Sequence, residues 1–451
     1  MYTICSTPAY AGMAAVRRRI SRISHIRQFR LFVPAVLALA ASVSSAGTGL
    51  SLPEAQRLAL QRTRQLAVHE LSADAARQMA VAAGQLPDPV LKAGIDNLPV
   101  SGGERFSLGA DFMTMRRIGI SQELTSIDKR RRRAELYGEE AAKAQAARNA
   151  AAARIERDTA LAWIDSHFAR LARALAADQA RQAGDEALAA EAAYRAGRGS
   201  LADVAAAHGA LASARDGADE AAQRERSAAL VLRRWTGVEA GGEGGVQLAA
   251  PPAMDALRLD AASLAGLLPQ HPDIALLARQ ERIAQAEANV ADAARKQDWS
   301  VEVAFQQRGS GYSNMVSVGV SVPLQWDRAQ RQGRELAAKL ALAEAAKAER
   351  EEIQRSYQVE IQSMLGEWES GRERSRRYAE DVLPLARKRT EATLAAYRGG
   401  KASLADLLAA RRAETDTSLR SLQLQAQTAR LWAQLNYVTP SGAGHAQGEA
   451  K

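Results

Sequence analysis

The residues whose type and spacing most clearly suggest chemistry are two aspartates, Asp203 and Asp406. The first ends the stretch Ala-Tyr-Arg-Ala-Gly-Arg-Gly-Ser-Leu-Ala-Asp over 193–203, and the second ends Ala-Tyr-Arg-Gly-Gly-Lys-Ala-Ser-Leu-Ala-Asp over 396–406. Extended to 207 and 410, the two copies agree at 10 of 15 positions without a gap. A serine followed three residues later by an acidic residue is typical of a helix N-terminus, where the acidic side chain is favourable at the positive end of the helix dipole. The motif therefore predicts where a helix begins.

Other residues offer less. The histidines beyond residue 46 have no metal-ligand spacing; they are His69, His167, His208, His271 and His445. Met113 and Met115 share one face of the predicted strand and could contact soft metal ions, although packing is the commoner use of methionine. The sequence contains no nucleophile elbow, P-loop, paired acid and base or dinucleotide fingerprint. We therefore expect no enzyme, no cofactor and no resident metal.

The N-terminus indicates export. A lead containing six arginines precedes an apolar run from Leu31 to Val43, and Ser44-Ser45-Ala46 follows with the small residues that a signal peptidase accepts. About 13 apolar residues are too few to span a bilayer comfortably. We therefore predict a signal peptide over 1–46, rather than a membrane anchor.

Removing that segment changes the charge and the cysteine content. The formal charge falls from +9 to +3, because residues 1–46 hold six arginines and no acidic residue. Electrostatics then gives little support for a nucleic-acid partner, and we interpret the basic run 129–133 as a solvated collar. The single cysteine, Cys5, also lies in the predicted signal peptide, so disulfides and thiolate ligands are not expected.

The duplication extends beyond the aspartate motif, because Ile118–Leu124 aligns with Val318–Leu324 at an offset of 200. We predict a first structural repeat over 47–240, a Gly/Pro-rich linker over 241–258, a second repeat over 259–438 and a disordered tail over 439–451. Each repeat is predicted to contain a helix, two strands, a very long helix, a glycine-containing turn and a returning helix. The predicted elements are 54–86, 88–97, 104–124, 128–196 and 201–235, then 260–297, 299–308, 315–325, 328–398 and 403–436.

The strands of the second repeat alternate strictly. The valines at 316, 318, 320 and 322 share one face with Leu324, and Ser317, Gly319 and Ser321 share the other. Trp299 and Trp326 flank this pair with the apolar parity, so a hairpin would place them at one height, like half of an aromatic girdle at a membrane interface. An ordinary half-buried hairpin is the alternative.

The first pair alternates from Phe106 to Phe112, but Arg116-Arg117 must then place one arginine on each face. Either a bulge lies there or the strand already runs below the membrane.

Four strands are too few to close a membrane barrel, which needs about eight, and an open sheet edge is costly in lipid. Three chains would supply twelve strands. The long helices, about 70 residues or roughly 100 Å each, would continue these strands as a helical tube. The predicted fold class is therefore α+β: a coiled-coil α-helical barrel continuous with a transmembrane β-barrel, four strands per chain, closed as a homotrimer. The sequence has no transmembrane helix.

From Leu50 to Val438 the chain resembles the TolC-type outer-membrane channel family, the exit ducts of tripartite efflux pumps and type I secretion systems. The resemblance is carried by the duplicated Tyr-Arg-x-Gly-x-x-Ser-Leu-x-Asp turns and by the duplicated strand-to-helix junctions. Pro323 stands at one junction, where the family often has proline, and Glu123 stands at the other.

The resemblance implies that the turns form a periplasmic tip that meets an adaptor protein and narrows to a gate. The implied contact residues are Tyr194, Gly197, Ser200, Leu201, Tyr397, Gly400, Ser403 and Leu404. Asp203 and Asp406 are the implied pore gate, besides capping helices. A basic residue of the family's gate falls at Ala402, so Lys401 or Arg398 would have to replace it.

The resemblance further implies a homotrimer in the outer membrane of a Gram-negative bacterium, with its helices in the periplasm and its strands in contact with outer-membrane lipid. Its partners would be a periplasmic adaptor and an inner-membrane RND-type pump, with no nucleic acid. The segments 94–99 and 111–118 resemble the branch that serves heavy-metal RND pumps, so the substrate would be heavy-metal cations; drugs or type I secreted proteins are the alternative substrates. A periplasmic coiled-coil scaffold or adaptor without a pore is the alternative function.

Overall fold

The computed structural model describes residues 49–239, 246–257 and 271–437. The predicted signal peptide, the predicted tail and the glycine-rich start of the linker lie outside the described residues, as does the beginning of the helix predicted at 260–297. The described helices are α1 Leu52–Arg62, α2 Gln65–Ala83, α3 Ile127–Arg195, α4 Leu201–Thr236, α5 Pro272–Ala294, α6 Gln332–Arg377, α7 Leu383–Arg398 and α8 Leu404–Asn436.

Helix α3 is the longest element, at 69 residues or roughly 100 Å. Its sequence is rich in alanine, arginine and glutamate, which are strong helix formers. Ser126 caps its start by accepting the backbone N–H of Lys129 on Oγ at 3.3 Å, and Asp128 lies in the first turn. The helix then runs without a break to the first Tyr-Arg-x-Gly turn.

Helices α6 and α7 together form the second long helix, the counterpart of α3. It differs from α3 because it contains a π-helical turn, Tyr378–Val382, between α6 and α7. In this turn Leu383 donates its N–H to the carbonyl of Tyr378, five residues back. Pro384 follows at once, and a proline ring crowds the carbonyl four residues before it and supplies no N–H. The wider turn accommodates the proline inside a continuous helix.

The four strands form one antiparallel sheet in the order β1-β2-β3-β4, with β1 Val90–Asp96, β2 Met115–Leu124, β3 Trp299–Gln307 and β4 Met315–Ser321. Each hairpin comes from one repeat, and the β2–β3 ladder joins the two repeats. Nothing among the described residues pairs with the outer edges of β1 and β4. A single chain therefore contributes an open sheet.

Several predicted boundaries were wrong. The helix predicted at 54–86 is two helices, because Thr63 adopts an extended conformation and its Oγ1 accepts the N–H of Gln65 at 3.2 Å. The helix predicted from 328 begins at Gln332, after a turn in which Asp327 accepts the N–H of Gln330. The strand predicted to reach 325 ends at Ser321, two residues before Pro323, which cannot donate to a ladder.

The strand predicted at 104–124 was wrong over its first half, because β2 begins only at Met115. Phe106 has a φ of +59°, and Asp111 Oδ1 accepts the N–H of Met113 at 2.6 Å. Phe106 and Asp111 therefore belong to turns. The ladders on both sides of β2 keep one register along its length, which excludes a bulge within the described strand. Arg116 and Arg117 follow Met115 at the start of β2, at the end of the sheet away from the helices.

A hydrophobic core lies at mid-length, where α1, α3, α4, α6 and α8 meet. Trp163 is fully buried there and donates its indole N–H to the carbonyl of Leu50 at 2.9 Å. Trp432 donates in the same way to Ala256. These bonds attach the segments before α1 and before α5 to the long helices.

No helix within the described ranges is both long and apolar enough to cross a membrane.

Candidate functional site

The two glycine-containing turns have the same geometry. Gly197 and Gly400 have φ angles of +72° and +71°, a left-handed conformation in which glycine is favoured. In each turn the glycine donates its N–H to the carbonyl of the preceding tyrosine at 3.0 Å. The next residue, Arg198 or Lys401, donates to the carbonyl five positions before it. Each turn thereby ends one helix and reverses the chain.

Both returning helices begin with a complete capping box. Ser200 Oγ accepts the N–H of Asp203, and Asp203 Oδ2 accepts the N–H of Ser200 at 2.9 Å and its hydroxyl at 2.7 Å. Ser403 and Asp406 repeat these bonds at 3.0 and 2.6 Å. The hydrogen bonds from the serine keep the pKa of each aspartate below its ordinary value. Both carboxylates therefore cap helices and stay charged at neutral pH.

The structure brings the two turns together at one end of the chain, in a hydrophobic cluster that we call the tip cluster. Its buried members are Ala183, Ala187, Ala190, Ala207, Leu211, Ala214, Leu404 and Leu407. Leu404 is only 6 % exposed, whereas its repeat equivalent Leu201 is 66 % exposed. Tyr397 packs against the cluster, and Tyr194 is exposed. The side chain of Leu404 is therefore covered within the chain, and its contact with an adaptor stays a prediction.

An ion pair lies beside the tip cluster and was not predicted. Arg411 Nε of α8 lies 2.9 Å from Glu186 Oε1 of α3, and Arg411 Nη1 donates to Gln182 Oε1 at 2.6 Å. The Glu186 side chain is only 14 % exposed. Burial raises the pKa of Glu186, and the guanidinium of Arg411 opposes that rise. The pair attaches the second hairpin to the first within one chain.

The sheet has one apolar face that continues across all four strands. The ladders place Val318 beside Val303, Val303 beside Ile120 and Ile120 beside Leu91. These side chains are exposed, Val318 by 70 %. An exposed apolar surface of this extent marks an interaction with lipid or protein.

The opposite face of the sheet is polar and carries an ion network. Glu302 of β3 accepts from Lys92 Nζ of β1 at 2.6 Å and lies 3.3 Å from Arg117 of β2. Arg117 also lies 3.7 Å from Asp96. The network joins three strands, and the sequence did not predict it because its members are far apart in the chain.

The two tryptophans occupy different settings. Trp299 is the first residue of β3, pairs with Leu124 and is about half exposed. Trp326 lies beyond the end of β4 and is 89 % exposed. Because the ladder pairs Ser300 with Ser321, the position opposite Trp299 is Val322 rather than Trp326. The ladder therefore does not place the two tryptophans at one height, contrary to the prediction.

The basic run 129–133 lies at the junction of sheet and helices, and much of it is paired within the chain. Lys129 Nζ lies 2.6 Å from Asp298 Oδ2, with the two side chains 7 % and 20 % exposed. Asp128 pairs with Lys296 at 2.8 Å, and Arg130 donates to the carbonyl of Gly84 at 3.0 Å. The two ion pairs join the β2–α3 junction of the first repeat to the α5–β3 junction of the second.

Among the described residues, no group of three histidine, cysteine, aspartate or glutamate side chains is placed to hold a metal ion. Met113 lies in the turn before β2 and Met115 is the first residue of β2. The two methionines therefore do not share a strand face.

No protein-family model and no curated protein matches the chain. Solved structures do. A structure of CusC, described in terms of folding and transmembrane channel formation, has a TM-score of 0.71 and a sequence identity of 16%. The match covers 86% of this chain and 91% of the CusC chain. The CmeC outer membrane channel of Campylobacter jejuni has a TM-score of 0.70 at 13% identity, with 86% and 85% covered. The outer membrane protein VceC of Vibrio cholerae has a TM-score of 0.69 at 17% identity, with 86% and 95% covered.

Identities this low establish the fold alone. The chain has the fold of these outer-membrane proteins, with four strands and two long helical hairpins per chain. The predicted α+β fold, with long helices and four strands per chain, is thereby confirmed, and so is the resemblance to the TolC-type family at the level of the fold.

Proposed function

We propose that three copies of the chain form an outer-membrane channel, the exit duct of a tripartite efflux system, through which substrate passes passively to the exterior. The observation that carries this proposal is the four-stranded sheet, which has an exposed apolar face, a polar face and two unpaired edges. Unpaired edges are not tolerated in lipid, so the sheet must be completed by other copies. Three copies give a twelve-stranded barrel with the apolar face toward lipid and the Glu302 network toward the lumen.

In this arrangement the sheet lies in the outer membrane and the helices reach into the periplasm. Trp299 and Trp326 lie at the helix end of the sheet, where amphipathic aromatic rings favour the membrane interface. The tip turns then face an inner-membrane RND-type pump and its adaptor. Tyr194 and Leu201 are the best contact residues for the adaptor, because their side chains are exposed at the tip.

Fractionation and conductance test the proposal. We expect a heat-modifiable trimer in outer-membrane fractions and large-conductance channels when the purified protein is added to a planar bilayer. A soluble periplasmic monomer that forms no channels would refute the duct. That outcome would favour a coiled-coil scaffold or adaptor.

The aspartates of the tip turns are proposed to act as a cation-attracting gate in addition to capping. In a trimer, Asp203 and Asp406 would supply six exposed carboxylates around one opening. The double variant Asp203→Asn/Asp406→Asn removes the charge and keeps an amide that still hydrogen-bonds. We expect weaker cation selectivity with unchanged trimer yield; unchanged selectivity would leave capping as their sole role.

We also propose that heavy-metal cations are among the substrates, on the resemblance of 94–99 and 111–118 to the metal-exporting branch. In the structure Asn97 and Asp111 help close the β1–β2 connection, since Thr114 Oγ1 donates to the carbonyl of Asn97 at 3.0 Å and Asp111 accepts the N–H of Thr114. Deleting the gene should sensitise its host to metal ions more than to drugs. The reverse ranking would contradict the metal proposal and leave the duct intact.

A further inference from the structure

The apolar face of the sheet carries one arginine, Arg116, near the end of the sheet that lies away from the helices. The ladders place Arg116 between Ile95 of β1 and Gln307 of β3. Because side chains alternate along a strand, Arg116 lies on the same face as Ile118, two positions farther on. The Arg116 side chain is exposed, and its guanidinium makes no ion pair or hydrogen bond with any described residue.

The next residue, Arg117, shows by contrast what Arg116 lacks. Arg117 lies on the polar face, 3.7 Å from Asp96 and 3.3 Å from Glu302. Both carboxylates are on that face, so they are turned away from Arg116. In the proposed trimer, β4 of the next chain would lie beside β1, but residues 308–321, which form the β3–β4 turn and β4, contain no acidic residue. A neighbouring β4 therefore supplies no carboxylate to Arg116.

The height of Arg116 on the sheet matches one edge of a membrane-spanning apolar band. Arg116 and Leu124 are eight positions apart in β2, which is about 27 Å along the strand and about 20 Å along the membrane normal at a tilt of about 40°. Leu124 pairs with Trp299 at the helix end of the sheet. Since the apolar band of a membrane barrel is about 25 Å tall, Trp299 and Arg116 lie at its two edges. In the proposed orientation, the edge at Arg116 is the headgroup region of the outer leaflet.

We propose that Arg116, together with Gln307, binds the phosphate group of an outer-leaflet lipid, a phosphorylated glycolipid. This inference rests on the proposed function, which places the apolar face of the sheet in the outer membrane. A guanidinium binds phosphate through two parallel N–H···O bonds. The amide of Gln307, opposite Arg116 across the β2–β3 ladder, supplies a further N–H donor. A trimer carries three such sites around the barrel.

The residues beside the site favour a lipid over a free anion. Toward the middle of the sheet, the next row on the same face contains Ile118 and Phe305, which are 52 % and 43 % exposed. A phosphate ion would leave these side chains uncovered, whereas a wholly apolar molecule would leave the charge of Arg116 unpaired. A lipid with an anionic headgroup satisfies both, because its acyl chains lie along the apolar rows while its phosphate stays at the arginine.

Lipid binding by the purified trimer tests the site. Native mass spectrometry counts the lipid molecules retained when the trimer in detergent is titrated with lipid A that carries both phosphates. We expect Arg116→Gln to weaken this binding about fivefold, and Arg116→Lys to recover part of it, because lysine keeps the charge but lacks the planar fork. The matched control is Arg117→Gln, which removes the same charge from the polar face and should leave lipid binding at the wild-type level.

The wild-type trimer provides a test that depends on no variant. Lipid A without phosphates should bind about fivefold more weakly than the phosphorylated form, and this difference should vanish in Arg116→Gln. Equal binding of phosphorylated lipid A by the wild type and Arg116→Gln would overturn the site and leave the duct standing. Complete displacement of the lipid by inorganic phosphate would identify a free-anion site and overturn the lipid assignment. Protein that is soluble and monomeric before lipid is added would instead overturn the proposed function.

Discussion

Removing the charge of Lys129 should loosen the junction between sheet and helices. The ammonium group lies 2.6 Å from the Asp298 carboxylate, and both side chains are largely buried. At an effective dielectric constant of about 20 the attraction at this distance is about 6 kcal/mol, and desolvation offsets much of it. Removing one partner of a buried pair typically costs about 3–5 kcal/mol, because the other charge is left uncompensated.

The exposed fraction of Asp298 reduces that figure, so we expect Lys129→Met to cost about 2–3 kcal/mol of local stability. Hydrogen exchange measures this directly. Amides near Ser126, whose N–H lies 3.4 Å from Asp298 Oδ1, should exchange roughly 30- to 150-fold faster if opening is at equilibrium. The double variant Lys129→Met/Asp298→Asn should recover part of the loss, since no buried charge remains.

The matched control is Lys296→Met, which breaks the neighbouring pair with Asp128. That pair is well exposed, with side chains 62 % and 41 % exposed, so its loss should change local stability by less than about 1 kcal/mol. Equal exchange in the Lys129 and Lys296 variants would refute the reasoning. So would strict additivity in the double variant, because coupling between the two charges is the basis of the estimate.

Leu407→Ala should cost about 2–4 kcal/mol of local stability at the tip, because truncating a leucine that is 2 % exposed leaves a cavity. A change of less than about tenfold in the hydrogen-exchange rates of the tip turns would contradict this expectation. Ser403→Ala should fray the start of α8 by about 1 kcal/mol, seen as faster exchange in its first turn, and Ser403→Thr should restore protection. His271 caps α5 by accepting the N–H of Asp273 on Nδ1 at 3.2 Å, and burial keeps its pKa below the ordinary value. Its stabilising contribution is therefore complete above about pH 6.5 and is lost as the pH falls toward the folded-state pKa. As the pH is lowered through this range, the thermal unfolding midpoint should decrease in the wild type and decrease less in His271→Asn. Identical pH profiles of the midpoint in the two proteins would exclude the histidine as the cause.

Local chemistry made the tip turns predictable from the sequence. A left-handed glycine and a Ser-x-x-Asp capping box depend on residues within four positions of one another, so the motif alone specifies where each long helix ends and the next begins. Strand parity is local in the same sense, which is why the apolar face of β4 could be predicted. Parity was misleading over 104–114, where apolar residues alternate but the side chain of Asp111 stabilises a turn instead of a ladder.

Contacts between distant segments could not be predicted in this way. The β2–β3 ladder, the Lys129–Asp298 pair and the core around Trp163 all join residues more than 100 positions apart. Only the packed chain decides that Leu404 is buried while its equivalent Leu201 is exposed, since the two leucines have the same local sequence and differ only in whether a neighbouring hairpin covers them. The repeated parts and the local geometry of each follow from the amino-acid sequence. Which copies of those parts pair within one chain depends on the packing of the whole chain, because pairing requires that the elements be neighbours in space.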